Sequence, residues 1–132
     1  MKLPSDGRPR PKNLARQRLG KIGEDFAAEY LLKHGYRIIE RNFKARYGEI
    51  DIIALSGSTL VFIEVKTRIG REFGLPEEAV TPRKIREVVK TAGYYKVFHH
   101  ELPESLRLDV IGIELNPDET LKYFNHIENV TG

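Results

Sequence analysis

A chain of 132 residues with a formal net charge of +3 is long enough for one domain with a core of its own. It contains no cysteine, which excludes disulfides, thiolate nucleophiles and cysteine-based zinc sites, and no apolar run reaches the length of a membrane span. Residues 1–20 lack the apolar stretch of a secretory signal, so the expectation is a soluble cytoplasmic protein.

Residues 1–18 are expected to be a basic, flexible N-terminal arm ahead of a single domain over 19–132. Over residues 1–21, Lys2, Arg8, Arg10, Lys12, Arg16, Arg18 and Lys21 face only Asp6, and Pro4, Pro9 and Pro11 favour an extended chain over a helix. Such an arm suits a polyanion, because each neutralised phosphate releases counterions; it suits a solvated tail equally well. From Leu19 the pattern turns helical, with Leu19, Ile22, Phe26 and Tyr30 on one stripe and Gly35 as the stop. Three strands are predicted next, over 36–43, 48–55 and 59–68, the last two joined by a type II′ turn at Gly57-Ser58. Residues 69–80, rich in glycine and charge, read as a loop with room for one short helical turn. Thr81 and Pro82 are an N-cap and first-turn proline, and Ile85, Val88, Val89, Ala92 and Tyr95 carry a second helix to about Phe98. Two further strands, over 106–115 and 121–127, flank the turn Asn116-Pro117-Asp118-Glu119. The order is αβββαββ, an α/β domain.

Strand periodicity puts Glu64, Lys66 and Arg68 on one face, and Glu49 with Asp51 on one face. A hairpin centred on Gly57-Ser58 then sets Asp51 opposite Glu64 and Glu49 opposite Lys66, with opposed Cβ atoms about 5 Å apart. Two carboxylates so placed repel unless a cation lies between them, and Mg²⁺ or Mn²⁺ is the natural candidate for oxygen ligands. In phosphodiester hydrolysis such an ion activates water, while a nearby lysine orients the nucleophile or stabilises the transition state. The plainer reading is a surface hairpin whose charges make cross-strand pairs worth under about 1 kcal/mol. Against it, both clusters interrupt strongly apolar runs, LVFIEVK and GEIDIIA, where a charge is costly without a task.

The runs RYGEIDIIA, VFIEVKTR, FGLPEEAVTPRKIREV and RLDVIGIE resemble the YraN-type family of small bacterial proteins, over about residues 20–115. That family is assigned a restriction-endonuclease-like fold and is distantly similar to archaeal Holliday-junction resolvases. The resemblance implies a mixed central sheet flanked by helices, with the nuclease signature at Asp51, Glu64 and Lys66. It also implies that a first-helix glutamate, here Glu24, joins Asp51 and Glu64 at the metal. Leu108 departs from the family pattern, which commonly has an aromatic there. The implied activity is a metal-dependent endonuclease hydrolysing DNA, with branched or flapped forms among its substrates; the alternative is a non-catalytic nucleic-acid-binding or assembly module on the same fold.

Arg68 could fork onto a phosphate, or pair with Glu49 or Glu24. Arg107 and Asp109 share a strand face and read as a structural ion pair. Arg71 and Phe73, between Gly70 and Gly74, suit a mobile segment contacting nucleic acid, or an ordinary connection. Lys84, Arg86 and Lys90 could touch a bound backbone or simply be solvated, while Arg16 and Arg18 would add sequence-independent affinity. Gly20 and Gly23 would permit close approach of a sheet or a partner. His34, His99, His100 and His126 show no ligand spacing. A symmetric homodimer would suit paired cuts, though no residue marks its surface.

Overall fold

The computed structural model describes residues 11–131. In chain order the elements are α1 (Pro11–Lys33), β1 (Arg37–Ala45), β2 (Gly48–Ser56), β3 (Thr59–Ile69), a 3₁₀ turn (Pro76–Ala79), α2 (Pro82–Val97), β4 (Ser105–Leu115) and β5 (Leu121–Ile127). The five strands form one mixed sheet in the order β1-β2-β3-β4-β5. β3 and β4 run parallel, as the α2 crossover between them requires, and every other pair is antiparallel.

Binary patterning accounts for the two layers. Ala27, Ala28 and Leu31 of α1 pack on Ile52, Ala54, Val61, Ile63, Ile111 and Ile113. Val88, Ala92 and Tyr95 of α2 pack on Ile50, Ile53, Leu60, Phe62 and Leu108. The alternating residues of β3, Val61 and Ile63 on one side with Leu60 and Phe62 on the other, thus feed two separate cores. The second helix starts as expected: Thr81 caps it by accepting the N–H of Lys84 at 3.1 Å, with proline in the first turn.

The first helix corrects an expectation. It begins at Pro11 instead of Leu19, so residues 11–18, assigned to an extended arm, are helical. Proline at a first helical position loses no hydrogen bond, and Leu14, Ala15, Arg16, Gln17 and Arg18 are good helix formers; the proline was therefore a start signal. The expected arm over residues 1–10 lies outside the described residues. No helix among those described is long and apolar enough to cross a membrane.

The hairpin register is as expected from Ile52↔Ile63 to Ser56↔Thr59 around a two-residue turn, with Gly57 at φ 58°. Past Ile52 the ladder ends, and here the expectation fails: Asp51 does not pair with Glu64 as a rung, nor Glu49 with Lys66. Alternation also breaks at this point, since Ile50 packs under α2 whereas Ile52 packs under α1. β2 turns away at Asp51, while β3 continues alongside β4 to Ile69↔Leu115.

Candidate active site

The fork between β2 and β3 is held by a side chain. Asp51 Oδ2 accepts the backbone N–H of Val65 at 2.7 Å, taking the acceptor place a strand carbonyl would fill. Its carboxyl group is thereby brought beside that of Glu64, which is buried. Burial and the neighbouring Asp51 charge push the Glu64 carboxyl up to about 8. Asp51 is also raised, first by burial and then by the charge of Glu24, against the pull of the Val65 N–H. Burial outweighs the positive charge that Lys84 and Lys66 bring to the pair, so both acids favour their protonated forms.

Glu24 reaches the same place from α1. It lines, with Glu49, Asp51, Arg41, Asn42 and Val65, a groove of about 460 Å³. Its Oε1 accepts from Arg41 Nε at 2.8 Å and from Asn42 Nδ2 at 3.0 Å, while Arg41 Nη2 also donates to Asp25 at 2.6 Å. Asn42 has φ 55°, a left-handed conformation that asparagine tolerates, and so the consecutive side chains Arg41 and Asn42 both reach one helix. The cradle of Glu24 was invisible in the sequence, because it needs this break in strand alternation.

Lys84, expected on a solvated or backbone-contacting face, instead extends from the first turn of α2 to within 4.0 Å of Glu64 Oε2. Lys66 also bears on Glu64 from two positions along β3, favouring its ionised form. Lys66 and Arg68 line a second groove of about 690 Å³ together with Arg16 and Phe73, and Gly20 and Val65 border both grooves. Asp51, Glu64 and Glu24 therefore face one region, with Lys66, Arg68 and Arg16 beside it.

Other expectations change. Arg18 is forked onto Glu119 at 2.7 and 2.8 Å, tying α1 to the β4–β5 turn. Arg71, although half exposed, is anchored: its Nε donates to the fully buried Glu114 at 2.7 Å, and its guanidinium lies 4.9 Å from the centre of the Tyr123 ring. Gly23 explains itself, since a methyl group there would overlap Thr67 Oγ1 and meet its Cβ and Cγ2 at 2.8 Å; α1 lies directly on β3. Gly20 has nothing near it but the groove.

Among the described residues, the set of three that brings potential ligand atoms within 4.8 Å of one another is Asp109, His126 and Glu128, and not Asp51, Glu64 and Glu24. The fork sets Asp51 beside Glu64, and it is Glu24, held by Arg41 and Asn42, that falls outside this range. The observed trio is already saturated. Asp109 accepts from Arg107 through both oxygens at 2.9 Å, pairs with His126 Nε2 at 2.8 Å and takes the Asn129 N–H at 3.0 Å. His126 Nδ1 is bonded to Tyr30 Oη at 3.0 Å, so neither ring nitrogen is spare. This network fastens α1 to β4 and β5, and the expected Arg107–Asp109 pair is its centre. His126 was missed because it lies diagonally across the β4–β5 register, a signal that turn position carries.

Comparison with known proteins places these residues in a family context. A family model described as "Uncharacterised protein family UPF0102" matches residues 23–113. The chain is 45% identical over 119 residues to a UPF0102 protein of Caldanaerobacter subterraneus, covering 89% of this chain and 98% of that protein. It is 48% identical over 106 residues to one of Symbiobacterium thermophilum, covering 80% and 90%. A Mycobacterium tuberculosis homologue is 43% identical over 108 residues, covering 80% and 84%.

Proposed function

Starting from a chain that belongs to the UPF0102 family, the YraN-type proteins, we propose a metal-dependent endonuclease acting on DNA, on a restriction-endonuclease-like fold. The observation that carries this reading is the Asp51–Glu64 pair at the fork of β2 and β3, two acids buried side by side, with Glu64 pushed up to about 8 despite Lys84 at 4.0 Å. A buried acid pair that costs stability when ionised is what a cation site looks like before the cation arrives. Hard carboxylate oxygens from Asp51, Glu64 and the second oxygen of Glu24 suit Mg²⁺ or Mn²⁺. When bound, such an ion acidifies a water and offsets charge on the phosphate.

The chain's own groups supply the rest. Asp51 and Glu64 give up their protons on loading the site. Lys66, on the face of β3 that it shares with Glu64, holds the attacking water or a phosphate oxygen. Arg68 binds a neighbouring phosphate along the adjoining groove, and Glu49 lines the groove of Asp51 and Glu24 as an auxiliary acceptor. Lys84 keeps Glu64 in place from α2.

Purified protein is tested on linear, flapped and four-way DNA with each metal. Cleavage that exceeds that of Asp51→Ala by about 100-fold or more supports the reading. Equal traces of cleavage from both proteins refute it, and cation-independent binding that survives Glu64→Ala would then leave a module that grips nucleic acid without cutting it.

A further inference from the structure

We propose that the groove beside the acid pair takes a single DNA strand, unpaired at this point, with Phe73 as the platform for one base; this rests on the reading of Asp51 and Glu64 as a phosphodiester-cleaving centre. Phe73 is 78% exposed, the most exposed of the large apolar side chains among the described residues. Its loop is nevertheless pinned at both ends. On one side Arg71 is bonded to Glu114, whose side chain has no exposure. On the other, Glu77 accepts hydrogen bonds from Tyr123 and Asn125 and sits over Gly112, where any side chain would displace it. Gly70 at φ 76° and Gly74 at φ 92° turn the chain within this clamp. The exposure of Phe73 is therefore imposed by two anchors in the sheet, and the ring is held out in advance of any ligand.

What lies next to it suits a polynucleotide. Arg16 from α1 and Lys66 and Arg68 from β3 line the same groove as Phe73, and Gly20 and Val65 carry it on to Asp51. Three cations against the single acid Glu72 lead from an aromatic face to a cleavage centre, which matches how single strands are held: phosphates along the basic track, bases on the rings. In a duplex both faces of each internal base are already stacked, so an isolated ring such as Phe73 has nothing to engage. A groove of about 690 Å³ is of the size that takes small ligands, enough for a nucleotide or two and far too small for a double helix.

The test is fluorescence anisotropy of the full chain in EDTA, with labelled oligothymidylate, labelled oligouridylate and a blunt duplex of equal length. Oligothymidylate is expected to bind about tenfold more tightly than the duplex. Phe73→Ala should weaken it about tenfold while Phe73→Tyr preserves it, and Arg68→Ala should lower the salt slope by about one. Because the ring is exposed, Phe73→Ala should leave the urea midpoint unchanged, which separates lost stacking from lost fold. Duplex bound as tightly as the single strand, or Phe73→Ala within about twofold of the parent, overturns the inference. Tighter binding of oligouridylate overturns its assignment to DNA. Strand-selective binding with no cleavage in Mg²⁺ or Mn²⁺ sinks the nuclease reading alone; cleavage by Phe73→Ala at the parent rate on every substrate sinks this inference alone.

Discussion

Asp51 accepts the Val65 N–H with one oxygen while its carboxyl group lies against that of Glu64, so one side chain both pries β2 from β3 and makes the acid pair. Stability and site chemistry are opposed at this point. Glu64 is raised to about 8 in the folded protein, far above its value in an unfolded chain. Between those two values the native state binds the proton and the unfolded state does not, so unfolding free energy falls as pH rises from about 4.5 to about 8. In EDTA the loss should be on the order of 5 kcal/mol. Glu64→Gln should match the parent near pH 5 and be the more stable protein at pH 8, by urea denaturation. Added Mn²⁺ should restore the parent at pH 8 and leave Glu64→Gln largely unmoved; equal pH profiles for the two proteins would show that Glu64 is not the burdened acid.

Arg41 tests how the second carboxylate is held. It spans Glu24 and Asp25, and Glu24 is buried. Arg41→Ala removes the guanidinium from a buried carboxylate and should cost about 2–4 kcal/mol. Glu24→Gln in that background should recover part of the loss, because it removes the charge left without a partner. A double-mutant cycle measures this, and purely additive costs would show that the pair is not coupled.

Much of this layout was legible in the sequence, and the failures have physical causes. Period-two alternation located all five strands, and glycine at Gly57 set the Ile52↔Ile63 register correctly. The same logic, carried one residue further, predicted Asp51 facing Glu64 as a rung; nothing local announces that a carboxylate will take over from a strand carbonyl. Pro11 was read as a breaker, whereas proline both opens and interrupts helices and only the residues after it decide. Lys84 was read as part of a charged helix face and Arg71 as part of a mobile loop. Their actual partners, Glu64 and Glu114, lie 20 and 43 positions away in the chain, beyond any periodicity argument.

Gly23 is where α1 rests on the sheet. With Thr67 in contact range of any added methyl, Gly23→Ala has to push the helix off β3 or rotate a half-buried threonine, and should cost about 1–3 kcal/mol despite the better helix propensity of alanine. In a Thr67→Ala background the hydroxyl and the γ-methyl are gone, and the penalty should shrink. Because α1 also carries Glu24, Gly23→Ala should reduce metal-dependent cleavage even at temperatures where it remains folded. A substitution as harmless as an exposed Gly20→Ala would refute the close approach.

Asp109 sits at the opposite end of the stability argument from Glu64. Burial alone would raise its pKa, but hydrogen bonds from His126, Arg107 and the Asn129 N–H outweigh that and hold it below the ordinary carboxylate range. Its contribution is therefore present above the unfolded value near pH 4 and is lost as pH falls through the lower folded value, the reverse of the Glu64 window. Asp109→Asn takes from Arg107 its buried counterion, leaving only the exposed Glu128 at 3.1 Å, and should cost about 3 kcal/mol near neutral pH, with a smaller difference from the parent under acid conditions. His126→Phe removes one of the four donors and the link to Tyr30, keeping the Arg107 pair, and should cost less. Neither change touches the groove that holds Asp51, so at a temperature where both variants are folded, cleavage should persist. Loss of activity without loss of structure in Asp109→Asn would mean that this network, and not the β2–β3 fork, is the reactive centre.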